Sequence, residues 1–357
     1  MRIILIGYGW RSLFFYRIIK AHPRKFSLVT WVLRTQERAE EVGKLYGVQT
    51  CSDVQEALRL AHDLVILSVP SSSMEALLSV LIDCDETVLC ETGFTSLALG
   101  TLNTIYARYR ASNSRIFVAE QYWRQPYYHT CHELSPLLGS VTEVRCASLH
   151  DHHGTSIIRH FLDEKASNCT ITAVSRPSWV VKTGARDSID TEGVRVQTKR
   201  ITAVLAFEDG KTGYFDFSDI QYHSSIRSSH FSLFGERGEI ADYEVRYLNS
   251  ENEGILQTIQ RIEDGGLTNN QRSLRALTFG DAYHFKNPYW PLGFNDDEIA
   301  IALCMEDACQ GRGYGLHEGL QDSYIAQCIH QSVTEGRPVT TQAQIWAEAF
   351  LLPASRK

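Results

Sequence analysis

The residues best suited to chemistry in this chain stand at its beginning. Ile3-Ile4-Leu5-Ile6-Gly7-Tyr8-Gly9-Trp10-Arg11-Ser12 reads as an apolar strand, a glycine turn and the start of a helix. Gly7 permits the tight turn, Gly9 lets the backbone approach a pyrophosphate, and Ser12 stands where a third glycine is common. A helix opening near Ser12 aims its unpaired N–H groups at that anion. Tyr8, Trp10 and Arg11 complete the turn. A glycine pair alone need only connect strand to helix, but here it opens a complete βαβ unit, which points to a bound dinucleotide.

The kind of dinucleotide is read at the end of the second strand, Trp31-Val32-Leu33-Arg34-Thr35. Leu33 occupies the position where an acid would bind the ribose 2′-hydroxyl of NAD. Arg34, Thr35, Arg38 and Arg11 offer donors suited to a 2′-phosphate, so NADP is expected, with NAD as the second choice. The plainer reading makes Arg34 and Arg38 solvated surface charges.

Two polar clusters follow. His150-Asp151-His152-His153 invites a metal reading, and strand alternation would put His150 and His152 on one face, Asp151 and His153 on the other. No helical His-x-x-x-His and no cysteine nearby completes a ligand set, so no metal is expected. Otherwise these are polar residues at a strand–helix junction, or a proton carrier, since an imidazole titrates near neutrality. The second cluster is Glu120-Gln121-Tyr122-Trp123-Arg124-Gln125-Pro126-Tyr127-Tyr128. Tyr122 can donate a proton and Arg124 can bind a carboxylate or hydroxyls; alternatively the run is an aromatic hinge. His284 and Asn287-Pro288-Tyr289-Trp290 are weaker candidates for the same cleft.

The elements that must position these groups alternate over the first 120 residues, as in a doubly wound parallel sheet. Strands are expected at 2–6, 26–33, 48–50, 64–69, 87–91 and 115–119. Helices are expected at 13–21, 36–46, 54–61, 73–82 and 97–111. Beyond them the pattern changes. Helices at 127–138 and 153–162 flank a strand at 141–149. Strands at 201–207 and 212–217 surround an Asp-Gly turn, and a strand at 231–234 leads through Gly235–Gly238 towards Ile240. The segment 296–336 reads as helical, stopped by Gly336 and Pro338. The expected fold class is α/β. An N-terminal Rossmann dinucleotide-binding domain (1–121) precedes a C-terminal α+β domain (122–357) on a large, mostly antiparallel open sheet.

Bulk properties limit the partners. A chain of 357 residues has room for two domains. A net charge of −7 lacks the basic excess of a nucleic-acid binder. No apolar run reaches the ~18 residues of a membrane span. Met1 to Ile6 read as a buried strand, so no signal peptide is expected. Nine cysteines without a Cys-x-x-Cys pair fit a reducing, cytoplasmic compartment.

Taken in order along the chain, these features resemble the Gfo/Idh/MocA family of oxidoreductases, named for glucose-fructose oxidoreductase and inositol dehydrogenase. The resemblance rests on Gly7, Gly9 and Arg11, on Glu37-Arg38-Ala39, on Tyr46-Gly47-Val48 and on Val69-Pro70-Ser71. It continues in Gly235-Glu236-Arg237-Gly238-Glu239-Ile240, Asp297-Glu298-Ile299-Ala300, Asp322 and Trp346. It implies a nicotinamide cofactor held in an interdomain cleft, with Val69, Pro70 and Glu91 along its path. It also implies a sugar-like substrate and a homodimer or homotetramer formed through the open sheet. The 120–128 cluster would then cross into the cleft, with Tyr122 catalytic and Arg124 binding substrate.

The departures from the family pattern matter as much. Where the family carries Glu-Lys-Pro, with the lysine on the reacting hydroxyl, this chain has Glu91-Thr92-Gly93. Thr92 can donate a hydrogen bond but brings no charge to a developing alkoxide. Where the family has Asp-x-x-x-His, Leu149 replaces the aspartate and His153 keeps the histidine, making His153 the expected proton carrier. Asp151 and His152 are the neighbouring substrate-side candidates. Three readings therefore stand: an NADP-dependent oxidoreductase, a cofactor-recycling enzyme that cleaves glycosides with Asp151 or His152 as an added base, and a non-catalytic dinucleotide-binding regulator.

Overall fold

The computed structural model describes residues 1–186, 188–265 and 272–351. Its first part is β1 (Arg2–Ile6), α1 (Trp10–Ala21), β2 (Ser27–Val32), α2 (Gln36–Tyr46), β3 (Thr50–Cys51), α3 (Val54–Leu58), β4 (Leu64–Leu67), α4 (Ser71–Asp83), β5 (Thr87–Cys90), α5 (Leu99–Arg110) and β6 (Arg115–Val118). The strands pair in parallel in the order β3-β2-β1-β4-β5-β6. Order reverses between β1 and β4, the crevice where such sheets bind dinucleotides. β1 and β4 read as apolar runs because helices cover both faces, and residues 3–6 and 64–67 are all buried.

The second part contains α6 (Pro126–Leu134), β7 (Val141–Ala147), α7 (Asp151–Leu162), β8 (Cys169–Val181), the small pair β9 (Gly184–Ala185) and β10 (Ser188–Ile189), β11 (Arg195–Phe207), β12 (Thr212–Ser218), β13 (His230–Gly235), β14 (Gly238–Ala241), β15 (Glu244–Leu248), β16 (Gly254–Gly265), β17 (Arg272–Phe279), β18 (Ala282–Lys286), α8 (Asp296–Cys309), α9 (Leu316–Glu335) and β19 (Val339–Thr340). Its large sheet runs β18-β17-β16-β15-β14-β13-β7-β12-β11-β8-β19, antiparallel except where β7 meets β12. Helices α6, α7 and α9 cover one face. On the other, Val174 and Val204 stay exposed beside the buried Ala173 and Ala203.

The expected architecture is present, with instructive shifts. α1 starts at Trp10 rather than Leu13, because the extended Gly9 passes straight into the helix, and this places Trp10, Arg11 and Ser12 in its first turn. The stretch 296–336 is two helices, divided around Gly311 at φ +72° and closed by Gly336 at φ +63°. His150–His153 is not a strand: His150 caps α7 and the next three residues form its first turn. Residues 352–357 of the expected second domain lie outside those described.

The two parts are tightly joined. The Val118 N–H donates to the Tyr314 carbonyl at 2.7 Å, so β6 is extended by the segment between α8 and α9. Gly319 lets α9 approach β6, since a Cβ there would meet the Val118 side chain at 2.8 Å. Similarly, α7 sits close on the large sheet through Gly154, where an added Cβ would fall 2.5 Å from the Phe215 ring. These close approaches bring the start of α7 to the C-terminal edge of the parallel sheet.

Candidate active site

The glycine turn is held from three sides. The Gly7 N–H donates to Val32 O at 3.0 Å, and Trp31 Nε1 donates to Gly7 O at 2.6 Å. Gly7 has φ +109°, and a Cβ on it would lie 2.0 Å from Ser68 O. Only glycine satisfies both constraints. Ser12, in the third-glycine position, is buried and donates to Ser68 O at 3.0 Å while accepting from Gly9 N–H at 3.3 Å. A Cβ added at Gly9, by contrast, would meet nothing within 4 Å. A backbone open at Gly9 and a helix N-terminus without an acid in its first turn fit a pyrophosphate.

Beside the turn, a cavity of about 750 Å³ runs between the two parts of the chain. Gly9, Trp10, Arg11, Val69, Pro70, Glu91 and Thr92 line it from the first part; Tyr122, His150, His152, His153, Arg186, Tyr222 and Asp297 line it from the second. Thr92, Tyr122 and His153, far apart in sequence, thus share one space.

His153 is held by a buried carboxyl group. Its Nδ1 lies 2.5 Å from Glu120 Oε2, and Glu120 Oε1 accepts from Tyr122 N–H at 3.3 Å. Glu120 follows β6 directly, at the edge where Rossmann sheets bind ligands, and His153 comes from the first turn of α7. Burial opposes charge on either partner. It pushes the Glu120 carboxyl up to about 8 and holds His153 well below the usual histidine range. The Tyr122 ring packs edge-on against His153 with centroids 4.8 Å apart, and its hydroxyl lies near that of Tyr222. Tyr222 Oη in turn accepts from His150 N–H at 3.1 Å.

Other expectations change. His152 turns inward: Nδ1 meets Thr95 Oγ1 at 2.9 Å, and Nε2 is buried without a hydrogen bond among the described residues. With Glu120, the two histidines form a three-donor group within 4.8 Å, a third donor that the local sequence does not reveal. Asp151 does not face substrate; its carboxylate meets His330 Nε2 at 2.7 Å, on α9. Arg124 is absent from the cavity lining, ion-paired to Asp307 and stacked 4.2 Å over Trp123. His284 and Tyr289 lie elsewhere too, His284 against Phe279 and Tyr289 bonded to Glu306.

The arginines divide in the same way. Arg11 is not available to a 2′-phosphate, because its Nε binds Glu91 at 2.7 Å and its Nη2 binds Gln121 at 2.9 Å. Arg38 is ion-paired to Glu41 and stacked 4.4 Å over Tyr8, while the Thr35 hydroxyl caps α2. Arg34 is exposed beside the buried Leu33. Tyr222 and Arg186, which line the cleft, and Glu120, which lies buried behind His153, are residues to which the sequence alone assigns no role. Of these, Glu120 carries a signal, as an acid at the C-terminal end of an apolar strand.

The turn makes a sharp prediction. Gly7→Ala should cost about 2 kcal/mol or more, from positive φ and a backbone clash together, and yield a protein of much lower melting temperature. Gly9→Ala should melt within a few degrees of the parent and lose dinucleotide affinity instead. Thermal unfolding with and without NADH separates the two.

Residues 1–120 match the family model described as oxidoreductase family, NAD-binding Rossmann fold. No curated protein matches the sequence. Among solved structures of like fold is levoglucosan dehydrogenase in complex with NADH and levoglucosan, at 16% identity and TM-score 0.66, covering 96% of this chain and 99% of that one. Another is an oxidoreductase from Agrobacterium radiobacter in complex with NAD+, L-tartaric acid and magnesium, at 14% identity and TM-score 0.65, covering 95% and 98%. A third is GenD2 from gentamicin A biosynthesis in complex with NAD, at 17% identity and TM-score 0.63, covering 96% and 97%. The sequence match to the Gfo/Idh/MocA oxidoreductase family model is thus confined to the dinucleotide-binding domain, residues 1 to 120, while the likeness of fold to these solved structures extends over nearly the whole chain.

Proposed function

We propose that this protein is an NAD(P)-dependent oxidoreductase that moves hydride between a nicotinamide cofactor and a sugar-like or other small carbonyl, imine or hydroxyl compound. The observation that carries this reading is the shared cavity lined both by the glycine turn and by His153, which is hydrogen-bonded to the buried Glu120. The bound cofactor supplies the hydride chemistry. The protein positions the substrate and manages one proton.

Glu120 and His153 suit that proton. In alcohol oxidation, His153 Nε2 takes the hydroxyl proton while Nδ1 passes its own to the Glu120 carboxylate. The imidazole stays uncharged throughout, as its buried setting requires, and the carboxyl ends protonated. In carbonyl reduction the same protons run backwards. Thr92 and Tyr122 border the reacting oxygen as hydrogen-bond donors, in place of a lysine. The like-folded levoglucosan dehydrogenase, bound to NADH and levoglucosan, supports a sugar-like substrate.

The other readings find less support. A cofactor-recycling cleavage needs a second base, yet Asp151 is engaged by His330 and His152 is buried against Thr95. A regulator without catalysis has no use for a carboxyl held near neutrality beside a histidine. Leu33 and the exposed Arg34 favour NADP, though more weakly than the sequence alone does, since Arg11 and Arg38 are committed elsewhere. The exposed Val174 and Val204 favour self-association of the sheet face, to be checked by light scattering for a mass above one chain. Nine unpaired cysteines favour a reducing, cytoplasmic setting.

Titration with NADPH and NADH, followed by nicotinamide fluorescence and thermal shift, tests the cofactor reading. A ligand at one hundred times its Kd adds about 2.7 kcal/mol of stability. NADPH should bind more tightly than NADH, and Arg34→Ala should remove the difference; binding of neither sinks the oxidoreductase reading.

The proton path predicts a pH profile. Oxidation needs ionised Glu120, so its kcat/KM should rise as pH passes upward through about 8, and reduction should fall over the same range. Glu120→Gln keeps the shape but cannot take the proton. It should lose roughly 10²–10⁴-fold in rate together with this titration. A variant that retains the parent's pH profile would exclude Glu120 from the relay.

A further inference from the structure

Arg186 contributes to the cavity from an unexpected place. It sits between β9 and β10, on the excursion that leaves the end of β8 and returns at β11. Its guanidinium carbon lies 3.7 Å from the centroid of the Trp10 ring, the shortest such stacking among the described residues. Trp10 is the first residue of α1, immediately after Gly9, and its ring is half exposed. A cation from the second part of the chain therefore stands over the N-terminus of the phosphate-binding helix.

The excursion that carries it is braced. Lys182 and Asp190 pair across its base at 3.4 Å, and the Ser225 N–H donates to Thr183 Oγ1 at 2.9 Å. Gly184 packs close to the His223 backbone, where a Cβ would meet the carbonyl oxygen at 3.2 Å. The loop it leans on carries Tyr222, whose hydroxyl accepts from the His150 N–H. The same cavity contains a second arginine, Arg11, but that charge is neutralised by Glu91 and held by Gln121. Arg186 forms no ion pair among the described residues, and it stacks on an aromatic ring instead. Stacking orients the planar guanidinium and leaves its N–H edge for an anion.

We propose that Arg186 is the second domain's ligand for the cofactor's pyrophosphate, a charge added to the N–H groups of α1 from across the cleft. This rests on the dinucleotide reading above. It also gives Trp10 a role, as the platform that holds the guanidinium. The consequence is that cofactor affinity depends on both domains, and that the diphosphate, rather than the nicotinamide or the adenine, reports the contact.

The test uses the full chain with NADH and with ADP-ribose, which has the pyrophosphate but no nicotinamide. Arg186→Ala should weaken both about 10- to 100-fold, the usual value of a hydrogen bond to a charged group. The parent's affinity should fall more steeply with salt than the variant's. Arg186→Lys, which keeps the charge but not the stacking plane, should recover only part of the loss, and Trp10→Leu should lose a similar part. Because Arg186 is exposed and without an ion-pair partner among the described residues, circular dichroism and melting temperature should match the parent. Equal affinity of parent and Arg186→Ala for ADP-ribose would overturn the proposal. So would an unchanged Kd for NADH with a raised KM for substrate, which would move Arg186 to the substrate. If the parent itself binds neither NADH nor ADP-ribose, the cofactor reading fails first, a result distinct from either of these.

Discussion

A hydrogen bond of 2.5 Å between Glu120 and His153 spans the two halves of this molecule, and much of the structure serves it. Neither partner is tolerable alone. An ionised carboxylate without a partner would be costly at 1% exposure, and so would a charged imidazole at 7%. Together they share a proton in a setting that charges neither heavily. The pair forms only when β6 delivers Glu120 to the edge of the parallel sheet and α7 delivers His153 against it.

The supports of that meeting are spread through the chain. α7 is seated on the large sheet at Gly154, and on α9 through Arg159, a buried arginine that binds Asp322 and reaches Glu318 at 3.0 Å. Burial raises the Asp322 carboxyl to about 7, and the Tyr314 hydroxyl donates to it at 2.7 Å. Tyr314 belongs to the segment that extends β6, so the anchor of α7 and the anchor of β6 are one network. On the cofactor side, Arg11, Glu91 and Gln121 form a second buried bridge, joining the first turn of α1 to the ends of β5 and β6. The cleft is thus framed by polar networks whose members satisfy one another, which fixes its shape more firmly than apolar packing alone would.

The threonine at position 92, where the family carries lysine, takes a different meaning in this frame. A lysine would add a positive charge to a cavity already lined by His150, His152 and His153. In the proposed chemistry the proton is handled by a carboxyl poised near neutrality and relayed through an imidazole, and the residue proposed to border the reacting oxygen is neutral. The aspartate missing at Leu149 is answered in the same way: the acid that orients the histidine comes from the end of β6 rather than from four residues before it. Leu149 is buried instead.

Local patterns are enough to reveal the parallel strands, the glycine turn, the open antiparallel sheet, the hairpin turn at Gly210 and the helix stop at Gly336. These depend on periodicity and on backbone conformations that few residues can adopt, so a short window of sequence contains their cause. His153, Tyr122 and Thr92 are legible through the family pattern, and Leu33 through its place at the end of a strand. What no window contains is the set of long-range partners. Glu120 and His153 are 33 residues apart, and Asp151 and His330 are 179 apart. The first pairing makes a histidine half of the proposed proton relay, and the second engages an expected substrate ligand elsewhere. Arg11 and Arg124 read as free charges until the fold supplies Glu91 and Asp307. Sequence by itself determined the architecture and the class of cofactor, because those follow from backbone geometry and apolar spacing. Tertiary structure alone decided which polar groups are spent on one another and which remain for a ligand, because a side chain's charge and availability are set by whatever the fold packs beside it.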